Sequence, residues 1–467
     1  MLKFAIAALG ATLLAPAAAA QPAPDPSEGA YRALYKELIE TNTTLSSGSC
    51  TLAAERMAAH LKVAGFAPGE LTLFATPEHP KDGGLVAVWP GSDRKLRPML
   101  LLAHIDVVEA RREDWTRDPF TLVEENGNFY ARGAIDDKAM ASIWVDTLVR
   151  LRAGGFHPRR TIKLALTCGE ESNGAFDGAE WLSKNRRDLI DAGFAFNEGG
   201  GGRTDGHGHL LVETVQVGEK AFQDFRVTAT NPGGHSSQPV RDNAIYELAD
   251  GLLRLRDYEF PMQFTDTTRV FFAEAGKARG GELGAAMVAL AANPADAKAA
   301  ALVNADKMFH SMLRTTCVAT LLAGGHADNA LPQRASANVN CRMFPGRTPE
   351  ETRAALAAAV GDPKLTVEIV PPARPVAVPP PLDPAIIGPI RAVAARHFPG
   401  VPVLPAMSTG ATDGIFLEAV GIPVYGVPSV WTDPDGNGTH GLNEHVEVRA
   451  LMTARGYLYD LVRTFAS

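Results

Sequence analysis

Two adjacent glutamates in the stretch LTCGEESNG are the residues of this sequence that most directly suggest chemistry. Glu170 and Glu171 follow the apolar run TIKLALTC, at the point where the chain stops being hydrophobic. Neighbouring side chains of a β-strand point to opposite faces, so both carboxylates can serve one site only where the strand has ended. A charged loop is one explanation, and a site in which two carboxylates have different functions is the other.

Other histidines and acids also follow apolar runs. His104 ends the run RPMLLLAH, Asp106 comes two residues later, and Glu198 follows the short stretch GFAFN. Residues two apart share a face, so Asp106 can accept a hydrogen bond from the imidazole and fix its tautomer, as the partners of zinc-bound histidines do. Taken alone, a His-x-Asp sequence is more often part of a solvated loop. Open α/β sheets, however, bind their ligands at such strand ends.

Three further residues extend this set. Asp136 and Asp137 directly precede a helix in YARGAIDDKAM, where helix capping is the better explanation for each acid taken singly. His440 lies in the turn-rich stretch NGTHGLNEHVEV before the last helix. Zinc accepts imidazole and carboxylate ligands, and a site with two metals about 3.5–4 Å apart needs a bridging carboxylate. The conjunction of these residues favours such a site over a set of unrelated loops.

The elements that must position these residues alternate between helices and apolar strands. Two amphipathic helices are predicted within residues 31–66, followed by the buried-strand run RPMLLLAH and the helix KAMASIWVDTLVRLRAGG, which ends at Gly154. TIKLALTC and GFAFNEGG then read as further strands. Strands that are apolar on both faces and separated by helices predict an α/β fold with a mostly parallel sheet flanked by helices.

The pattern changes near Glu213. EKAFQDFRVTAT and ASANVNCRMF alternate as half-buried strands do, and DNAIYELADGLLRLRDY between them is a predicted helix. The Ala-rich stretch of residues 281–303 is predicted as helix and connection. A helix, TPEETRAALAAAV, and a Pro-rich connector then lead back to α/β sequence. We therefore predict a first catalytic part at residues 21–214, an inserted α+β domain at 215–346, and a second catalytic part at 347–467.

The first twenty residues have the pattern of a secretory signal peptide. MLKFAIAALGATLLAPAAAA has an early lysine, an apolar stretch and small residues before Gln21, which predicts cleavage at that point and a secreted or periplasmic protein. An uncleaved membrane anchor is the alternative, which the short, Ala-rich segment disfavours. The net charge of −8 is spread along 467 residues without a basic run. We therefore expect no nucleic-acid partner and no stable membrane anchor after cleavage.

The four cysteines are irregularly spaced and include no C-x-x-C pair. A zinc-thiolate site is therefore improbable, whereas export permits disulfides. Cys317 can pair with Cys341, although spacing alone does not fix this. Cys168, close to the paired glutamates, is expected to be a buried strand thiol and not a metal ligand.

A series of short motifs along the chain resembles one family of enzymes. The motifs are HIDVV, DPF after a tryptophan, YARGAIDDKA, GEES, NEGG, GGHSS, CRMFPG, STGATDG and THGLNE. Together they resemble the dinuclear-zinc exopeptidases and amidohydrolases that include glutamate carboxypeptidase, aminoacylase, succinyl-diaminopimelate desuccinylase and carnosinase. The resemblance covers nearly all of the chain after the signal. Ala131 and Ala139 stand where this family usually has glycine, and neither is at a ligand position.

The resemblance implies a division of roles among the acids and histidines named above. The implied ligands of two zinc ions are His104 and Glu198 on one ion, Glu171 and His440 on the other, and Asp136 bridging both. Asp106 is implied to stand behind the first histidine, and Glu170 is implied to act as the general base that takes a proton from water. This division answers the question raised by the adjacent glutamates.

The resemblance also assigns roles outside the metal ligands. The insert resembles the lid or dimerisation domain of the family, and His235 in NPGGHSSQP is implied to stabilise the oxyanion, often in the partner subunit's active site. Asn329 and Arg342 resemble contacts to the substrate carboxylate, which a planar guanidinium can bind bidentately. Gly410 and Thr412 of STGATDG are implied to form a wall near the substrate.

The sequence thus predicts an exported, zinc-dependent exopeptidase, either a carboxypeptidase or a dipeptidase, which forms a homodimer. An N-acyl amino acid deacylase with the same site is the alternative, because both enzymes cleave an amide bond next to a free carboxylate. A periplasmic binding or scaffold protein on an inactive hydrolase fold is a third interpretation. It predicts a missing ligand or base, and none is missing in this sequence.

Overall fold

The computed structural model describes residues 26–172, 176–427 and 430–467. The predicted signal peptide and its cleavage site lie outside these ranges. Within them, no helix is both long and apolar enough to cross a bilayer.

The strands in chain order are β1 Leu71–Thr76, β2 His79–Trp89, β3 Met99–His104, β4 Val123–Glu125, β5 Asn128–Tyr130, β6 Ile162–Thr167, β7 Phe194–Asn197, β8 Gly201–Thr204, β9 Leu210–Glu219, β10 Ala221–Thr230, β11 Gly234–His235, β12 Thr316–Gly324, β13 Ala330–Leu331, β14 Arg334–Met343, β15 Leu365–Ile369, β16 Val403–Ser408, β17 Val424–Gly426, β18 Trp431–Thr432 and β19 His445–Glu447. The helices are α1 Glu28–Ile39, α2 Cys50–Val63, α3 Lys138–Ala153, α4 Gly178–Asn185, α5 Arg187–Ile190, α6 Ala244–Asp257, α7 Asp266–Arg279, α8 Gly281–Ala292, α9 Ala297–Asn304, α10 Lys307–Met312, α11 Pro349–Val360, α12 Pro384–His397, α13 Gly414–Glu418 and α14 Val448–Ala466.

The larger sheet has the strand order β1-β2-β6-β3-β7-β17-β9-β8-β18, and β16 pairs with β9. Its centre, β6-β3-β7-β17, is parallel, whereas β2 and β9 join this centre in antiparallel pairs. Alternate residues of β3 enter two different apolar clusters: Leu101 packs with α1, α2, α3 and α14, and Leu102 packs with α4 and α13. Burial on both faces explains the continuous apolar runs. The predicted α/β fold with helices on both sides of the sheet is confirmed.

A second, antiparallel sheet has the order β12-β14-β10-β15. Helices α6 and α11 cover one of its faces and share an apolar cluster with β10 and β14. This sheet does not coincide with the predicted limits of the insert: residues 215–219 belong to β9 of the larger sheet, and β15 pairs with β10 beyond residue 346. The sequence could not locate β15, because five residues of alternating pattern do not reveal the partner strand.

Helices α7 to α10 form a third apolar cluster, which includes Met407 of β16. The predicted helix and connection in the Ala-rich stretch therefore correspond to α8 and α9. The apolar cluster of α7 to α10 therefore extends beyond the predicted insert, because it includes a residue of β16 in the larger sheet. The division of the chain into catalytic and lid or dimerisation domains stays a prediction.

All four cysteines form disulfides, Cys50–Cys168 and Cys317–Cys341. The second bond joins residues directly opposite each other in β12 and β14, which is the pairing that the sequence left open. The expectation that Cys168 is a free buried thiol is wrong. Cys168 follows the end of β6, and the fold places Cys50 at the start of α2 next to it. The two cysteines are 118 residues apart, so the local sequence does not indicate this pairing.

Candidate metal centre

The carboxyl ends of three neighbouring strands bring the candidate residues together. His104 is the last residue of β3 and pairs with Thr167, the last residue of β6. The chain then leaves β6 toward the two adjacent glutamates, and β7 ends one residue before Glu198. Because parallel strands end at one edge of the sheet, residues distant in sequence share a single site, as the strand-end pattern predicts.

Asp136 lies between two histidines. Its Oδ1 is 3.1 Å from Nε2 of His104, and its Oδ2 is 3.1 Å from Nε2 of His440. Each imidazole therefore faces a different oxygen of one carboxylate. This is the geometry that a carboxylate bridging two metal ions requires.

The remaining carboxylates divide between the two histidines. Glu198 Oε1 lies 3.6 Å from His104 Nε2, and Glu171 Oε1 lies 2.7 Å from His440 Nε2. These nearest contacts follow the two predicted ligand groups, but ligand atoms of His104, Asp136 and Glu171 also lie within 4.8 Å of one another. The assignment of ligands to each ion stays a prediction. Ligand atoms of His104, Glu170 and Glu198 also lie within 4.8 Å of one another, so distance alone does not separate Glu170 from the ligands.

His104 is oriented by Asp106. Its Nδ1 lies 3.1 Å from the backbone oxygen of Asp106 and 3.5 Å from the Oδ1 atom, so this nitrogen donates and Nε2 is free to face the site. Burial by itself lowers the pKa of His104, but the hydrogen bonds to Asp106 and Asp136 raise it well above the ordinary value. A cation at the site would replace the proton that these carboxylates now favour.

His440 stands in a loop with a left-handed backbone, at φ 59°. Hydrogen bonds to Asp136 and Glu171 raise the pKa of His440 to about 10. Burial disfavours the charged form of Asp136, but the two imidazoles hold the pKa of Asp136 below its ordinary value. In the metal-free chain the histidine protons therefore offset the charge of the carboxylates.

Glu444 holds the loops of Asp136 and His440 in place, and sequence reasoning gave it no role. Its buried carboxylate accepts hydrogen bonds from the backbone N–H groups of Ile135 (2.9 Å) and Asp136 (3.2 Å) and from the guanidinium of Arg132 (2.6 Å). The same guanidinium donates to the backbone oxygen of Gly441. The motif THGLNE contained this acid, and its place four residues after His440 was the available signal.

Glu170 differs from its neighbour in its surroundings. Glu171 contacts His440, and its backbone N–H donates to Asp106. Glu170 instead borders a cavity, and burial together with the nearby carboxylates raises its pKa to about 8.

Asp137 is buried at the N-cap position of α3, but its side chain makes no capping hydrogen bond. Helix capping therefore does not explain Asp137.

The cavity beside Glu170 has a volume of about 410 Å³. Its lining includes Glu171, His440, Arg342 and Thr412. The predicted substrate residue Arg342 therefore faces the same space as the candidate base. Thr412 accepts a hydrogen bond from the side-chain amide of Asn197 at 3.1 Å.

Among the residues predicted to bind the substrate or stabilise the oxyanion, three do not line this cavity in the described part of the chain: His235, Asn329 and Gly410. His235 and Asn329 lie together at the small β11–β13 ladder, where the backbone N–H of Ser236 donates to the Asn329 oxygen. His235 is exposed, and its Nδ1 lies 2.7 Å from the hydroxyl of Ser237. A role for this pair thus needs a partner subunit or a movement of the insert.

The fold and the paired histidine–carboxylate groups define the class of this protein as a hydrolase with a candidate site for metal. The chain belongs to Peptidase family M20/M25/M40, whose pattern it matches over residues 100–464.

Two curated relatives span most of the chain. The human N-fatty-acyl-amino acid synthase/hydrolase PM20D1 is 28% identical over 381 residues, which are 80% of this chain and 75% of the relative. Probable carboxypeptidase S-like 2 of Dictyostelium discoideum is 24% identical over 406 residues, 81% of this chain and 74% of the relative. Among solved structures, an M20 family metallo-carboxypeptidase from Sulfolobus solfataricus superposes with a TM-score of 0.71 at 18% identity, covering 93% of this chain and 99% of that one.

Proposed function

We propose that this enzyme hydrolyses an amide bond next to a free carboxylate, with two zinc ions at the candidate metal centre. The observation that supports this most directly is Asp136, whose two oxygens face His104 and His440. A structural ion pair would need one histidine. Two imidazoles on one carboxylate, each with a further acid, form two half-sites of the kind that two-metal hydrolases use.

The donors fit zinc. Two imidazoles and three carboxylates are nitrogen and oxygen ligands that this ion accepts, and all four cysteines are in disulfides. When bound, the metal pair supplies Lewis acidity, which polarises a carbonyl and lowers the pKa of water. His104, Glu198, Asp136, Glu171 and His440 would hold the two ions.

The other residues of the cavity perform the proton transfer and bind the substrate. Glu170 accepts a proton from the attacking water and passes it to the leaving nitrogen, a role that needs a carboxylate bordering the cavity. Arg342 binds the free carboxylate of the substrate across the same cavity. This arrangement serves a carboxypeptidase or a dipeptidase, which is our first candidate.

The second candidate is hydrolysis of N-acyl amino acids, and a second cavity favours it. This cavity, of about 600 Å³, lies between β9 and β16 of the larger sheet and helices α7 and α10. Its lining is mostly apolar and includes Phe271, Ala275, Met308 and Leu404, whereas Gly199, directly after Glu198, borders it. An acyl chain could therefore extend from the metal centre into an apolar cleft. The name of the human relative, an N-fatty-acyl-amino acid hydrolase, supports the same substrate class.

Export and dimerisation belong to the proposal as well. The segment of residues 1–20 has the pattern of a signal peptide, and two disulfides suit an oxidising compartment. The edge strand β12 presents exposed apolar side chains, with Val318 61%, Leu321 70% and Leu322 72% exposed. An exposed apolar edge strand is a ready surface for a second subunit, which could bring its His235 to the site.

The test is hydrolysis of a panel of dipeptides and N-acyl amino acids by the zinc-loaded protein, each substrate paired with its C-terminal amide. We expect activity only on members with a free carboxylate, loss of activity with EDTA, and recovery with zinc or cobalt. Arg342→Ala should raise KM, because binding of the free carboxylate loses about 2–5 kcal/mol of free energy. The zinc content should not change. Equal activity on carboxylates and amides, or hydrolysis by protein with less than one metal per chain, would contradict the proposal.

A further inference from the structure

A second arginine, Arg374, lines the catalytic cavity together with Arg342. The guanidinium carbons of the two residues lie 4.2 Å (Arg374) and 5.4 Å (Arg342) from the ring centroid of Phe222. Both distances are within the range of a cation–π contact. One aromatic ring therefore holds two guanidinium groups, and both line the same cavity as Glu170.

The position of Arg374 is fixed by a buried amide next to this ring. Gln223 is 2% exposed, and its Oε1 accepts a hydrogen bond from the backbone N–H of Arg374 at 2.9 Å. Its Nε2 donates to the backbone oxygen of Val370 at 2.8 Å. These bonds tie residues 370–374 to β10, because a buried amide is stable only when its polar groups are satisfied. They hold the backbone of Arg374 and leave its guanidinium for another partner.

Neither guanidinium has an anionic partner within the described residues: no carboxylate lies within ion-pair distance of Arg342 or Arg374, and neither group donates a hydrogen bond. One acid of the lining, Asp224, is already bonded: its Oδ1 accepts hydrogen bonds from the side-chain amides of Asn338 and Asn340, each at 2.9 Å. Burial lowers the pKa of Arg342, and the charges of Asp224 and Glu170 only partly offset this effect. Both guanidinium groups therefore line the cavity without a direct ion pair, and each is available to an anionic ligand.

We propose that Arg374 is a substrate-binding residue that contacts the same substrate carboxylate as Arg342. A substrate carboxylate would supply the ion-pair partner that both guanidinium groups lack. Its two oxygens can each accept hydrogen bonds from a guanidinium fork. The pair then selects for a free carboxylate, because an amide in the same place leaves both cations unpaired. This inference rests on the proposed function and assigns a specificity-determining residue to it.

The experiment measures KM and kcat of Arg374→Gln, Arg374→Lys, Arg342→Gln and the double Gln variant on the best substrate of the panel. The binding constant of its C-terminal amide is measured as that of a competitive inhibitor. For Arg374→Gln we expect KM on the carboxylate to rise about tenfold or more, as for the loss of a hydrogen bond between charged groups, with kcat changed by less than about threefold. Arg374→Lys should recover part of the loss. The double variant should lose less than the product of the single losses, because both arginines bind one group.

Arg226→Gln is the matched control, since Arg226 is an exposed arginine of β10 outside the cavity lining. It should behave as the unmodified enzyme. An unchanged KM in Arg374→Gln, or an equal change on carboxylate and amide, would overturn the role of Arg374. Fully multiplicative losses would overturn the shared carboxylate and indicate two separate anion sites.

Failure of the proposed function gives a different result, which is no hydrolysis of any panel member. In that case calorimetric binding of L-leucine and of L-leucinamide to the zinc-loaded protein tests Arg374 by itself. Weaker binding of L-leucine by Arg374→Gln, with L-leucinamide unaffected, would support the proposal. Equal binding of L-leucine by the variant and the unmodified protein, or no binding by either, would overturn it.

Discussion

The carboxylate of Asp106 accepts a hydrogen bond from the backbone N–H of Glu171, with Oδ2 3.0 Å from the nitrogen. The other oxygen of Asp106 faces Nδ1 of His104. One acid therefore positions the histidine that ends β3 and a glutamate that follows β6. With its backbone held in this way, Glu171 directs its side chain to His440, while Glu170 faces the cavity.

The first prediction concerns the two adjacent glutamates. Glu170→Gln keeps the shape of the side chain but cannot accept a proton, so it should bind zinc normally and lose about 10²–10⁴-fold in kcat. Glu171→Gln weakens a ligand, so zinc content and thermal stability should fall together with the rate. Metal analysis of both purified variants separates them. If both lose zinc alike, or if Glu170→Gln stays active, the assignment of base and ligand is wrong.

The second prediction is a pH dependence of metal binding. In the metal-free chain the pKa of His440 is raised to about 10, so at neutral pH its imidazole is protonated and must lose that proton to bind an ion. Apparent zinc affinity should therefore increase as the pH rises toward 10, and binding should release protons. Calorimetry in buffers of different ionisation enthalpy measures this release. In His440→Ala the proton release should be smaller, and an unchanged value would exclude His440 as its source.

The third prediction concerns the dimer. Leu321→Asp places a charge on the exposed face of the edge strand β12, and we expect it to convert a homodimer to a monomer because a buried charge without a partner is costly. Val63→Asp is the matched control, since Val63 is 91% exposed at the end of α2. Light scattering over a range of concentrations measures the mass. A dimer that persists in Leu321→Asp would place the interface elsewhere.

The fourth prediction tests the apolar cleft. Ala275→Trp fills the space between α7 and the sheet, so it should lower kcat/KM for long N-acyl chains and leave N-acetyl substrates nearly unchanged. Lys277→Trp adds the same side chain to an exposed position of α7 outside the cleft lining and should have no such effect. Kinetics on an acyl series from acetyl upward provides the comparison. Equal losses on short and long chains would show that the cleft does not hold the acyl group.

The sequence by itself determined the α/β fold and the set of candidate metal residues. The run MLLLA is apolar at every position because both faces of β3 are buried, and this local property is visible without a structure. The family motifs then assigned roles to Glu170 and Glu171. Burial and motif are both properties of short stretches of chain, which is why they could be recognised one stretch at a time.

Only the tertiary structure decided which distant residues meet. It joined Cys50 to Cys168, added β15 to the sheet of the insert, and gave Glu444 its position between two loops. It also brought Arg374 beside Phe222 across 152 positions of sequence, and kept His235 out of the cavity of its own subunit. These relations depend on how strands and loops from remote parts of the chain pack together, and local residue pattern contains no record of that packing.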